Sequence, residues 1–279
     1  MTMPRHVPIV TSPLGRRVLT SAVLIGLLLI VLLALPVAAA VVVLLAIVAA
    51  GAWEWSGFVT AHSRPWRYAF VAAVLVLLAL AWEMTATLAG RRLFLGATLL
   101  WWCVACVWVV FAPQRVGTAS AAFAGILALV PMGVALLRLR LIVPHGGAWT
   151  LYALVIVWAA DTGGYFAGRR FGRFRLAPKV SPGKTWEGVL GALALGVPVA
   201  LLGSVLFAVA ALPLLLISIV AIAFSVVGDL TESMFKRHAG VKDSGWLIPG
   251  HGGVMDRIDS LTAAAPIFLF GLTFSGVAP

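Results

Sequence analysis

The side chains best suited to chemistry lie in one polar stretch, Gly228 to Ser260, reading GDLTESMFKRHAGVKDSGWLIPGHGGVMDRIDS, which holds five of the chain's nine acidic residues. If the apolar run before it continues as a helix to about His238, Asp229, Glu232 and Lys236 stand at i, i+3 and i+7 and project from one face. Asp256 and Asp259 repeat the i, i+3 spacing. Between these pairs Gly240, Gly245, Pro249, Gly250, Gly252 and Gly253 break helices and let the backbone turn tightly with its N–H groups inward. Two helix ends are thus expected to face each other across a loop. Carboxylates there are hard oxygen ligands suited to Mg²⁺, and Lys236, Arg237, Lys242 and Arg257 carry the positive charge that phosphate oxygens need.

A second motif runs from Asp161 to Gly191, DTGGYFAGRRFGRFRLAPKVSPGKTWEGVLG. Asp161 falls near the end of an apolar helix, where an ionisable group is expensive without a partner or a purpose. Gly164, Gly168 and Gly172 repeat every four residues, a spacing for close helix packing. The GKT at 183–185 invites a Walker A reading, but Pro178 stands where that motif needs glycine and no soluble strand precedes it. Arg169, Arg170, Arg173 and Arg175 read blandly as a loop touching anionic headgroups. Lysine usage shifts the balance, because the chain's four lysines, Lys179, Lys184, Lys236 and Lys242, all fall within the two motif loops.

Composition says what must hold these loops. With 62% hydrophobic residues, 10% charged and a mean hydropathy of +1.10 over 279 residues, a water-soluble globular domain is excluded. The expected fold is all-α, a polytopic integral membrane protein of about nine transmembrane helices, at roughly 18–35, 37–56, 68–88, 93–112, 119–137, 149–167, 188–211, 213–228 and 261–277. The first is read as a retained span, too long for a signal peptide core. Pro36 and Pro213 mark tight hairpins between adjacent runs. Residues 1–148 read as an N-terminal transmembrane scaffold and 149–279 as the catalytic region. Starting inside, sixteen Lys and Arg fall on inner segments and four, Arg91, Arg92, Arg138 and Arg140, on outer ones. Both motif loops then face the cytoplasm, and the net charge of +11 reflects positive-inside loops rather than nucleic acid. Glu54, between Trp53 and Trp55, and Glu83, beside Trp82, are the acids of the first half, and the tryptophans suggest headgroup belts that hold both. Cys103 and Cys106 read as packing residues.

The stretch Ser233 to Asp259 meets, without a gap, the pattern Ser-x-apolar-Lys-Arg-x4-Lys-Asp-x-small-x2-apolar-Pro-x-His-Gly-Gly-apolar-x-Asp-Arg-apolar-Asp, and so resembles the phosphatidate cytidylyltransferases, or CDP-diacylglycerol synthases. Asp161 to Gly191 resembles that family's second block, with Gly164 where many members have alanine. The resemblance covers roughly the C-terminal 120 residues. It implies transfer of the cytidylyl group of CTP to phosphatidate, giving CDP-diacylglycerol and pyrophosphate, with Mg²⁺ and an open option of a second cation, at the cytoplasmic face of a bacterial inner membrane. Phosphatidate's phosphomonoester is itself anionic near neutral pH, so no Ser, Cys or His nucleophile is needed.

By the same resemblance Asp229 and Asp256 bind metal, with Glu232, Asp243 and Asp259 as alternative or supporting ligands, and catalysis rests on Asp229, Asp256, Lys236 and Arg257. Ser181, Lys184, Thr185, Arg237, Lys242 and His251 are the substrate-binding candidates, His251 being equally able to hold the PGHGG turn. CTP, phosphatidate and membrane lipids are the expected partners, with a homodimer an open option. The rival readings are a transporter and a CTP-dependent lipid kinase. A transporter would spread its charges through both halves, whereas seven of the nine acids follow residue 160.

Overall fold

The structure, a computed structural model, describes residues 13–59, 63–247 and 252–277. Among the described residues nine α-helices dominate. They are α1 (Pro13–Leu29, continued by a π-helical turn Ile30–Ala34), α2 (Val37–Trp55), α3 (Arg64–Met84), α4 (Leu88–Phe111), α5 (Thr118–Arg140), α6 (Gly146–Phe171), α7 (Trp186–Leu206), α8 (Ala211–His238) and α9 (Met255–Ser275). Among the described residues eight helices, α2 to α9, are long and apolar enough to cross a bilayer, and the protein is an integral membrane protein. The first of the nine expected spans is a helix whose apolar part, Ala22–Ala34, is shorter than the others. One expected loop is ordered instead, as an antiparallel hairpin of β1 (Arg175–Ala177) and β2 (Ser181–Thr185).

The centre belongs to α5 and α9, whose apolar windows are 72% and 61% buried, against 22% for α3 at the rim. Outer faces are covered with exposed Leu, Val and Phe, as a helix surrounded by lipid requires. Helix α6 packs along α7, and α8 along both α7 and α9. The α6–α7 seam is close because Gly163 and Gly191 face each other: a Cβ on either would press into the other's carbonyl oxygen. The glycine repeat continues the seam, with Gly164 and Gly168 packed on Gly188.

Helix α8 starts two residues before the apolar run of 213–228 and continues past its end to His238, as the helical reading of the motif expected, and α9 starts six residues before 261. At 1.5 Å per residue the 28 residues of α8 span about 42 Å, longer than a hydrocarbon core of about 30 Å. Its last turns therefore carry the Asp229 to His238 motif at and beyond the membrane boundary. The ends of α2, α4, α6 and α8 and the starts of α3, α5, α7 and α9 gather at that same end of the bundle, together with the hairpin.

The four arginines of the opposite end are used by the protein itself. Arg138 lies 3.7 Å from the centre of the Trp82 ring and donates to the Trp82 carbonyl at 2.7 Å and to Thr85 Oγ1. Arg91 donates to the Thr85 carbonyl, Arg140 to the Leu35 carbonyl, and Arg92 stacks on Phe274. Two sequence expectations are corrected here. Trp55 and Glu54 are buried, at 1% and 3% exposure, rather than set in a headgroup belt, because α2 ends against α5 and the start of α9. Cys103 lies on the exposed face of α4 instead of packing inside.

Candidate active site

Three helices and the hairpin enclose a cavity of about 590 Å³. Its polar wall includes Asp161 and Arg169 of α6, Arg175 and Lys184 of the hairpin, and Asp229 of α8. Its apolar wall includes Val189 and Ala192 of α7 and Val226 of α8. The two motifs meet in its wall, where Lys184 Nζ lies 2.6 Å from Asp229 Oδ2, 45 residues further along the chain.

Local structure explains how Lys184 gets there. The hairpin turns Lys184 toward α8, and Thr185 at its end caps α7, its Oγ1 accepting from the Gly188 N–H at 3.1 Å. Glu187 in the first turn of α7 accepts from the Phe174 N–H and ties the hairpin's other arm to the same helix end. Arg175 donates to the Pro182 carbonyl at 2.5 Å across the hairpin. Thr185 lines the cavity but its hydroxyl serves the cap, whereas Ser181 pairs with Ala177 in the hairpin register and does not line it.

A second charged cluster adjoins α8 and α9. Lys236, with a side chain 10% exposed, lies 2.5 Å from Glu232 Oε2 and 2.8 Å from Asp256 Oδ1. Asp256 Oδ2 accepts from the backbone N–H groups of Ser244 at 2.9 Å and Gly253 at 2.8 Å. Asp229 also accepts from Ser233 Oγ, and it is near enough to Asp161, Glu232 and Asp259 for their charges to repel. Asp161 makes a long contact of 3.5 Å with Ser260 Oγ, which joins α6 to α9.

Of the residues singled out by sequence, Lys184, Asp229, Glu232, Lys236, Asp256 and Asp259 are thus brought together. Arg237, Lys242, Asp243 and Arg257 are exposed around this end, Arg237 reaching the Val241 carbonyl at 3.5 Å. His251 lies outside the described residues. Asp229 and Asp256 each hold a different lysine rather than each other. Sequence reasoning passed over Glu54, whose carboxylate accepts from the Met255 N–H and Ser244 Oγ. Its signal was an acid at the end of an apolar span, obscured by the flanking tryptophans.

The charge balance fits a divalent cation. Asp161, Asp229, Glu232, Asp256 and Asp259 outnumber Lys184, Lys236 and the cavity's Arg169 and Arg175 by one, and among the described residues Glu232 Oε1 is buried without a hydrogen-bond partner. Among the described residues no three acidic, His or Cys side chains converge as a ready metal cage. Mg²⁺ does not need one, since it keeps several waters and takes one or two carboxylates plus substrate phosphates.

A helical bundle with one β-hairpin and a mixed apolar and charged cavity at the membrane boundary suits a membrane-embedded enzyme of anionic substrates. The profile of the cytidylyltransferase family matches residues 15–275, and the chain belongs to that family. It is 41% identical over 262 residues to a protein of Pseudomonas aeruginosa named phosphatidate cytidylyltransferase, covering 91% of this chain and 95% of that one. A protein of the same name from Haemophilus influenzae is 40% identical over 286 residues, covering 92% and 98%.

Proposed function

We propose that the protein transfers the cytidylyl group of CTP to phosphatidate, releasing pyrophosphate and leaving CDP-diacylglycerol in the membrane. The observation that carries this reading is the Lys184–Asp229 pair, a phosphate-binding cation from one motif and a metal-binding carboxylate from the other, inside a cavity with one apolar wall. A lipid with a phosphate head needs both walls. The relatives named phosphatidate cytidylyltransferase match nearly end to end, which supports the same reading.

In this reaction an oxygen of the phosphatidate phosphomonoester forms a bond to the α-phosphorus of CTP. The bond from that phosphorus to the bridging oxygen of the β-phosphate breaks, and the electron pair leaves with pyrophosphate. No proton has to be taken from the nucleophile, because the phosphomonoester is already ionised. The protein's task is to hold two repelling polyanions together. Lys184, Arg169 and Arg175 offer charge to phosphate oxygens in the cavity, and Lys236, seven residues on from Asp229 along α8, is held between Glu232 and Asp256. Mg²⁺, which Asp229 and Asp256 would hold, supplies charge neutralisation of the triphosphate. The apolar wall receives the glycerolipid beside its phosphate.

We place the site on the cytoplasmic side of a bacterial inner membrane, since this end carries most of the chain's Lys and Arg. The test uses CTP labelled at the α- or γ-phosphate with phosphatidate vesicles. α-Label should enter the lipid and γ-label should leave as pyrophosphate. γ-Label in the lipid would instead show a kinase, and label crossing the membrane unchanged would show a transporter.

A further inference from the structure

We infer that Glu54, on α2 of the N-terminal half, is a positioning residue for the active site, acting through Ser244 on Asp256 and Lys236. The inference rests on the reading of Asp256 and Lys236 as active-site residues. Glu54 is 190 residues from Ser244 in sequence, yet its Oε2 accepts from Ser244 Oγ at 3.0 Å and from the Met255 N–H at 2.7 Å. Ser244 Oγ in turn accepts from the Asp256 N–H at 3.2 Å, and the Ser244 N–H donates to Asp256 Oδ2 at 2.9 Å. Asp256 Oδ1 holds Lys236 Nζ. One carboxylate of the scaffold thus begins a continuous chain, Glu54 to Ser244 to Asp256 to Lys236.

The surroundings of Glu54 are built for this. Trp55 beside it donates its indole N–H to the Ala121 carbonyl of α5 at 2.8 Å and packs on Phe235, the neighbour of Lys236. The carboxylate therefore stands on a rigid base. Gly245 and Gly253, before α9, lie close against it, since a Cβ at either would run into the Glu54 carboxylate. Glu54 also places an anion at the first N–H of α9, a helix whose N-cap residue, Val254, supplies no side-chain cap.

A mere strut would not need the charge. Glutamine offers an acceptor oxygen without the cost of burying a carboxylate, and Glu54 Oε1 has no hydrogen-bond partner at all among the described residues. What the carboxylate adds is direction. It can only accept, so the Ser244 hydroxyl must donate to Glu54 and turn a lone pair to the Asp256 N–H. An amide turned with its NH₂ to the same hydroxyl would also meet the Met255 N–H donor to donor, so glutamine keeps that order in only one of its two orientations.

The test compares Glu54→Gln, Ser244→Ala and Asp256→Asn in the full-length protein in detergent. It measures kcat and KM for CTP, the melting temperature and amide hydrogen exchange over residues 252–263. Glu54→Gln and Ser244→Ala should each lower kcat by about tenfold or more, as losing a partner that orients a ligand does. KM for CTP and the melting temperature should stay close to those of the parent, and the 252–263 segment should exchange faster. Ser244→Ala leaves the Glu54 to Met255 bond intact, so it decides the matter if Glu54→Gln does not fold. Unchanged kcat with a lowered melting temperature in these two variants would overturn the inference and leave Glu54 a strut. Full activity in Asp256→Asn would instead overturn the reading of Asp256 on which the inference rests.

Discussion

Lys184 and Lys236 differ in burial and in partners. Lys184 is a quarter exposed, faces the cavity and has one carboxylate partner, whereas Lys236 is nearly enclosed between two. Lys184→Ala should therefore fold normally and lose about 100-fold in turnover, the scale of removing one positioned charge from a developing anion. Lys236→Ala leaves Glu232 and Asp256 facing each other without a cation, so it should lose stability as well as turnover. Activity and melting temperature measured together separate the two. For the aspartates, Asp229→Asn and Asp256→Asn should raise the Mg²⁺ concentration needed for half-maximal turnover. At Asp256 the asparagine oxygen can still take the Ser244 and Gly253 N–H groups, so the loop survives while the Lys236 pair is lost. An unchanged Mg²⁺ requirement in both variants would make them structural residues only.

Among the elements, the α6–α7 seam sets the width of the cavity. Because Gly163 and Gly191 bring two backbones into contact, Gly191→Leu should force the helices apart and cost about 1–3 kcal/mol through overpacking. The melting temperature should fall and turnover with it, although no charged side chain has been touched. Parent-like values would mean that the seam has room to spare. The periodic glycines made this seam legible in the sequence, and the i, i+3, i+7 spacing placed Asp229, Glu232 and Lys236 on one face. The β-hairpin was not legible, because SPGKT has little strand propensity; two short arms held by Glu187 and the Thr185 cap order it instead. Nor was the pairing of Lys184 with Asp229, which depends on how the hairpin meets α8 rather than on any local pattern.

For the molecule as a whole, both motif loops at one end should make them accessible from the same side of the membrane. In a protein with Cys103 and Cys106 replaced by alanine, Ser181→Cys and Lys242→Cys should react with an impermeant thiol reagent only from the cytoplasmic face. Ala86→Cys and Ala210→Cys should react only from the other. Reaction of Ser181→Cys from outside would sink the assigned orientation. Hydropathy located the spans because a bilayer demands about twenty apolar residues for each crossing. It misled at Glu54, since the same run of residues that suits a headgroup belt also suits a helix end buried against α5 and α9.

The Lys184–Asp229 pair has a consequence for how ligands arrive. Lys184 and Asp229 satisfy each other's charge, so an anion drawn to Lys184 strips Asp229 of its partner, and a cation drawn to Asp229 frees Lys184. Each binding event thereby lowers the cost of the other. Nucleotide and Mg²⁺ should bind cooperatively, each increasing the affinity for the other by the same factor, as linkage demands, and the enzyme would then favour the nucleotide and its metal together over either one alone.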